Sequence, residues 1–72
     1  MITYEPFWNT LRKSSESTYT LIRMHKFSSA TINRLRQNRP ISTTTLNDLC
    51  RTLNCGIDDI IAYSPSSRDP LL

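Results

Sequence analysis

Between residues 18 and 35 the apolar positions take the spacing of two short helices joined by a tight turn. Leu21 and Ile22 point a first helix inward, Phe27 fills the turn, and Ser28 caps a second helix by accepting from backbone N–H groups one turn on. Ile32 and Leu35 anchor that second helix on one side. The positions left facing outward are Ser29, Ala30, Asn33, Arg34 and Arg36. These side chains are small, amide-bearing or basic, and a helix carrying them has the chemistry a DNA major groove requires.

The rest of the chain must build a core around this pair. With 72 residues there is material for one small domain. A chain of this length buries only ~60% of its unfolded surface, so nearly every apolar residue is needed for packing. That leaves little room for a deep catalytic pocket and argues against an enzyme. The net charge of +3 is modest, but its distribution is not even. Residues 12–51 hold Arg12, Lys13, Arg23, Lys26, Arg34, Arg36, Arg39 and Arg51 against only Glu16 and Asp48, a local charge of +6. Such a segment suits a polyanionic partner, although Lys and Arg also solvate helix faces. The N-terminus has neither the basic nor the apolar region of a signal peptide, and no apolar run approaches the ~20 residues of a membrane span. The expectation is a cytoplasmic protein with Cys50 and Cys55 as reduced thiols.

The pattern predicts five short helices and no convincing strand. Pro6 suits a first helical turn with Thr3 as a cap, and Phe7, Trp8 and Leu11 form the inner face of a helix ending near Lys13. Ser17 or Thr18 opens the second helix, with Leu21, Ile22 and His25 inward. The third runs from Ser28 to about Asn38, where Pro40 disfavours helical geometry at Arg39. Ser42 or Thr43 caps the fourth, whose stripe is Leu46, Leu49, Cys50 and Leu53. Asn54 tolerates the left-handed conformation that ends a helix, and Gly56 opens a fifth helix that returns Ile60 and Ile61 to the core. The domain spans residues 1–63, and residues 64–72 read as a flexible tail. Residues 1–4 offer one alternative, a short extended arm that could pair with its copy in a second subunit.

Two blocks of this chain resemble a known family. Leu21, Lys26-Phe27-Ser28, Thr31-Ile32 and Leu35 form the first; Ser42, Leu46, Leu49, Leu53-Asn54-Cys55 and Ile60-Ile61 form the second. In register, they resemble the Cro/CI-type helix-turn-helix regulators, the xenobiotic-response-element family of small bacterial and phage repressors. The resemblance covers roughly residues 8–61. It implies an all-α, five-helix, lambda-repressor-like domain with the helix-turn-helix at helices two and three. The sequence departs from the family pattern at three places. Lys26 stands where the turn glycine is usual, Thr18 where a Gln often caps against a phosphate, and Cys55-Gly56 where Val-Ser is usual. If the Lys26 position has positive φ, a non-glycine residue costs about 1 kcal/mol there.

By position, the resemblance assigns base reading to Ser29, Ala30 and Arg34, with Asn33 beside them. It assigns phosphate contacts to Thr18, Gln37, Asn38 and Thr43; charge and helix face add Arg36 and Arg39. A guanidinium at Arg34 could bond O6 and N7 of a guanine together, worth about 1–3 kcal/mol of discrimination, or it could meet a phosphate or simply be solvated. Asn33 could bond an adenine or point at the backbone, and the Ala30 methyl could meet a thymine methyl. Thr18 and Thr43 open their helices, where N–H groups and hydroxyls suit phosphate oxygens as well as capping.

Other chemistry lacks support. His25 is the single histidine and reads as a packing residue. Cys50 and Cys55 lack the paired spacing of a zinc site, and one glycine cannot make a phosphate-cradling loop. No metal, cofactor or small-molecule ligand is expected. The function expected is a sequence-specific double-stranded DNA-binding regulator. The family implies a repressor that occludes RNA polymerase as a homodimer on a palindrome, associated with the nucleoid when bound. Ile57, Tyr63, Leu71, Leu72 and the N-terminal arm are candidates for the dimer surface. The alternative is a protein-interaction module on the same fold, an antitoxin or anti-repressor subunit, with binding insensitive to salt.

Overall fold

A computed structural model describes residues 1–65 of the chain; residues 66–72, including Leu71 and Leu72, lie outside the described residues. The elements run β1 (Ile2–Thr3), α1 (Glu5–Lys13), α2 (Thr18–Arg23), α3 (Ser29–Arg36), α4 (Thr43–Leu53), a 3₁₀ turn (Ile57–Asp59) and β2 (Ala62–Tyr63). The fold is thus helical, with four α-helices among the described residues. Where a fifth helix is expected, the chain makes a single 3₁₀ turn. Its Asp59 carboxylate accepts from the Gly56 N–H at 3.1 Å, closing the turn on itself.

Local chemistry explains three helix starts. Ser17, Ser28 and Ser42 each accept from a backbone N–H three residues on, at 3.2, 3.1 and 3.1 Å. At Ser17 the bond is returned, because the Thr20 hydroxyl accepts from the Ser17 N–H at 2.8 Å. Helix α1 starts differently. Thr3 is not its cap; it lies in β1, and Tyr4 occupies the cap position without a side-chain cap bond. Tertiary structure supplies the missing acceptors. The Asn38 side-chain oxygen accepts from Tyr4 N–H at 3.2 Å, and the Ile60 carbonyl accepts from Phe7 N–H at 3.1 Å. Pro6 between them has no N–H to satisfy.

Helices α3 and α4 end alike. Asn38 and Asn54 take left-handed φ of 53° and 52°. The following N–H groups, of Arg39 and Cys55, reach back five residues to Arg34 and Cys50 carbonyls at 2.9 and 3.0 Å. Helix α3 therefore stops at Arg36, two residues before the sequence expectation, and Gln37 and Asn38 form its exit.

The core is one cluster. Phe7, Leu21, Ile32, Leu35, Leu49 and Ile60 are almost completely buried, with Tyr4 and Leu11 close behind. Burying each such side chain fully contributes about 1.5–3 kcal/mol. Every helix and the segment after the 3₁₀ turn supply at least one of them. Trp8 is half-buried and meets Phe7 edge-on at 4.8 Å between centroids. His25 is not on the inner stripe as expected from the sequence. It lies beyond the end of α2, exposed, with Nε2 3.1 Å from Glu16 Oε1. The hydrogen bond from Thr20 and then the one from His25 hold the Glu16 carboxyl below its usual range.

The expectation of no strand is corrected by a minimal sheet. β1 pairs antiparallel with β2, Ile2 opposite Tyr63 and Thr3 opposite Ala62. The Ser64 N–H continues the ladder to the Met1 carbonyl at 2.9 Å. The N-terminal arm thus pairs within its own chain.

Two stability tests follow from these features. Lys26 has φ 66°, where a side chain costs about 1–2 kcal/mol that glycine avoids. Lys26→Gly is expected to raise stability by about 0.5–1 kcal/mol in urea unfolding, and Lys26→Ala to leave it nearly unchanged. The Tyr4 hydroxyl donates to the Arg39 carbonyl at 2.6 Å. Burial pushes this phenol up, and the Ile41 backbone offsets part of that. A raised folded-state pKa means stability that is present below about pH 10 and lost as pH rises through the folded value. Tyr4→Phe is expected to cost about 1 kcal/mol at neutral pH and to lessen the alkaline loss.

Candidate nucleic-acid interface

Burial fixes which way α3 faces. Ile32 and Leu35 are each 1% exposed, so the opposite side of the helix must meet solvent. Ser29, Ala30, Asn33, Arg34 and Arg36 are all exposed on that surface. Ser28 and Thr31 hydroxyls, 2.9 Å apart, close the start of the helix. They leave Ser29 and Ala30 as the first side chains of the presented face.

The two arginines of α3 sit in different settings. Arg34 is exposed and makes no side-chain hydrogen bond or ion pair within the described residues, so its guanidinium fork is open to a ligand. Arg36 is engaged. It donates to Asn33 Oδ1 at 3.4 Å, and its guanidinium lies 6.0 Å from the Trp8 ring centroid. The Asn33 amide is thus shared with Arg36 at a distance near the limit of a hydrogen bond, a contact easily exchanged.

The preceding helix is held close by the turn. Phe27 is half-buried and its N–H reaches the Leu21 carbonyl at 3.0 Å, while Lys26 takes the left-handed position. This helix, turn and helix, with an outward second helix, is the geometry of a major-groove reader. A family model for the Cro/C1-type HTH DNA-binding domain matches residues 7–66. The chain belongs to the Cro/C1-type helix-turn-helix DNA-binding family. Neither the curated proteins nor the solved structures gave a match to this chain.

The remaining predicted positions in this Cro/C1-type domain frame the helix. Thr18 is the first residue of α2 and Thr43 the first of α4, each directly after its capping serine. Gln37 is exposed at the end of α3. Asn38 has a structural role that sequence reading misses: its side-chain oxygen accepts from Tyr4 N–H, which fastens the loop after α3 to α1. Arg39 follows, its backbone fixed by Tyr4 and its side chain exposed. The sequence counts Arg23 only as charge; here its guanidinium lies 5.9 Å from the ring centroid of the exposed Tyr19 on α2. The i, i+4 spacing of that aromatic–basic pair was the available signal.

Among the described residues no group of three or more His, Cys, Asp or Glu is placed to hold a metal ion, and no helix is long and apolar enough to cross a membrane. Arg34→Ala is expected to leave the melting temperature unchanged, because the side chain is exposed and makes no hydrogen bond or ion pair among the described residues. Ile32→Ala is expected to cost about 2–5 kcal/mol. Unfolding of the Arg34 variant would contradict the outward placement of α3.

Proposed function

We propose that this chain is a sequence-specific transcriptional regulator that reads double-stranded DNA with the exposed face of α3. The single observation that carries the reading is the unpaired Arg34 guanidinium standing beside Ser29, Ala30 and Asn33 on a helix face with no packing duty. Arg34 takes the O6 and N7 edge of a guanine in a bidentate contact. Asn33 leaves Arg36 for an adenine edge, Ser29 donates or accepts, and the Ala30 methyl meets a thymine methyl. Thr18, Arg36, Gln37, Asn38, Arg39 and Thr43 hold phosphates on either side and set the register. For Asn38 the group offered is the amide NH₂, since its oxygen is bound to Tyr4.

One such helix reads only a few base pairs, so the active form is a homodimer on a palindromic operator with half-sites about one helical turn apart. Met1, Ile2, Ile57 and Tyr63 are exposed apolar residues and offer a second copy a surface. Binding in the cytoplasm across a promoter blocks polymerase, which makes repression the outcome. The sequence and fold offer no catalytic role.

Selection of bound duplexes from a random DNA pool at near-physiological salt tests the proposal. A palindrome is expected, with affinity falling steeply as salt rises because each phosphate contact releases counterions. No enrichment by a folded protein would overturn it in favour of a protein-interaction module.

A further inference from the structure

Cys50 and Cys55 occupy the two positions that meet where α4 ends. The left-handed Asn54 turns the chain back. The Cys55 N–H then donates to the Cys50 carbonyl at 3.0 Å, and Asn54 N–H to the Arg51 carbonyl at 3.4 Å. In this capping motif the residues at the two ends of the longer bond are brought side by side, and an apolar contact between them is frequent. Here both are thiols, free, half-buried and packed against the same core cluster. Cys55 also opens onto a surface cleft of about 310 Å³, where Lys13 of α1 and Asp59 of the 3₁₀ turn supply one charge of each sign. A small zwitterionic disulfide finds in that cleft a partner for its carboxylate and one for its ammonium.

We propose that Cys50 and Cys55 are a thiol–disulfide exchange site that takes a low-molecular-weight peptide disulfide and closes into a reversible intrachain disulfide. The reaction balances in two exchanges. The Cys55 thiolate, its proton given to solvent, attacks one sulfur of the small disulfide and releases the first small thiolate, which takes up a proton. The Cys50 thiolate then attacks Cys55 Sγ in the mixed disulfide and releases the second small thiol. Two protein thiols are oxidised and one external disulfide is reduced. In a reducing compartment the site rests as two thiols.

The groups around Cys55 set its pace. Burial raises the Cys55 pKa first, and Cys50, Asp59 and Asp58 add to the rise. Among the described residues that line the cleft, Lys13 is the one cation. The site is therefore quiet at neutral pH and accelerates in alkali, roughly tenfold per pH unit while the thiol is mostly protonated. The disulfide closes the end of α4, whereas Thr43 lies at its start, so DNA reading is expected to survive oxidation.

The test is incubation of the full folded chain with oxidised glutathione across a pH series, followed by intact-mass analysis. The wild-type product is expected to be a single, uncrosslinked chain lighter by two hydrogens, restored by dithiothreitol, with a melting temperature raised by a few degrees. Cys50→Ser is expected to stop at a stable glutathione adduct on Cys55, and Cys55→Ser to block disulfide closure. A wild-type chain that retains the adduct, links to a second chain, or oxidises only in denaturant would overturn the proposal. The wild-type result decides this even if a variant fails to fold.

Discussion

Burial of Ile32 and Leu35 is the constraint on which the interface depends. Both belong to the central cluster with Leu21 and Leu49, and together they leave α3 one rotation about its axis. An error of one residue in that rotation would bury Asn33 or Arg36 and expose an isoleucine or a leucine. The cost would be several kcal/mol from lost burial and an unpaired buried charge. The outward face of Ser29, Ala30, Asn33 and Arg34 is thus a consequence of the core, and the domain can change those residues without altering its fold.

A second requirement is that α3 stay fixed against the rest of the domain. Asn38 does much of this. Its left-handed backbone ends α3, and its amide oxygen supplies the acceptor that α1 lacks at its start. Tyr4 answers from the other side, its hydroxyl holding the Arg39 carbonyl at 2.6 Å. The Ile60 carbonyl completes the cap of α1 through Phe7. Helix α1, the exit of α3 and the chain after the 3₁₀ turn are therefore joined by hydrogen bonds as well as by the apolar cluster. The thiol pair at the far end of α4 packs against the same apolar cluster from the end of α4 opposite Thr43.

What the sequence makes legible is what is settled locally. The serine cap at Ser28, the left-handed Asn54, the strained Lys26 and the α3 anchors all follow from contacts within a few residues, while at the other two starts the sequence leaves Ser17 beside Thr18 and Ser42 beside Thr43. Long-range contacts are not legible. Thr3 looks like the cap of α1 because nothing nearby announces that Ile60 and Asn38, far along the chain, will do that work. The pairing of residues 2–3 with 62–63 rests on too few residues to leave a pattern. Ile60 enters the core after a single 3₁₀ turn, so its burial is legible while the fifth helix is not. His25 looks inward by helical spacing, but α2 ends at Arg23 and the side chain turns to Glu16 instead. At the interface, the outward residues are legible as the complement of the buried ones. The hold of Trp8 on Arg36 joins α1 to α3 and is visible only in the fold.

The central claim is that α3 enters the major groove with Arg34 and Ala30 against base edges. Intermolecular nuclear Overhauser contacts, measured between isotope-labelled protein and an unlabelled bound duplex, test it most directly. Contacts are expected from the Ala30 methyl and the Arg34 side chain to major-groove base protons, and none from residues of β1 or β2. Contacts confined to β1, β2 or the 3₁₀ turn, with α3 silent, would contradict it.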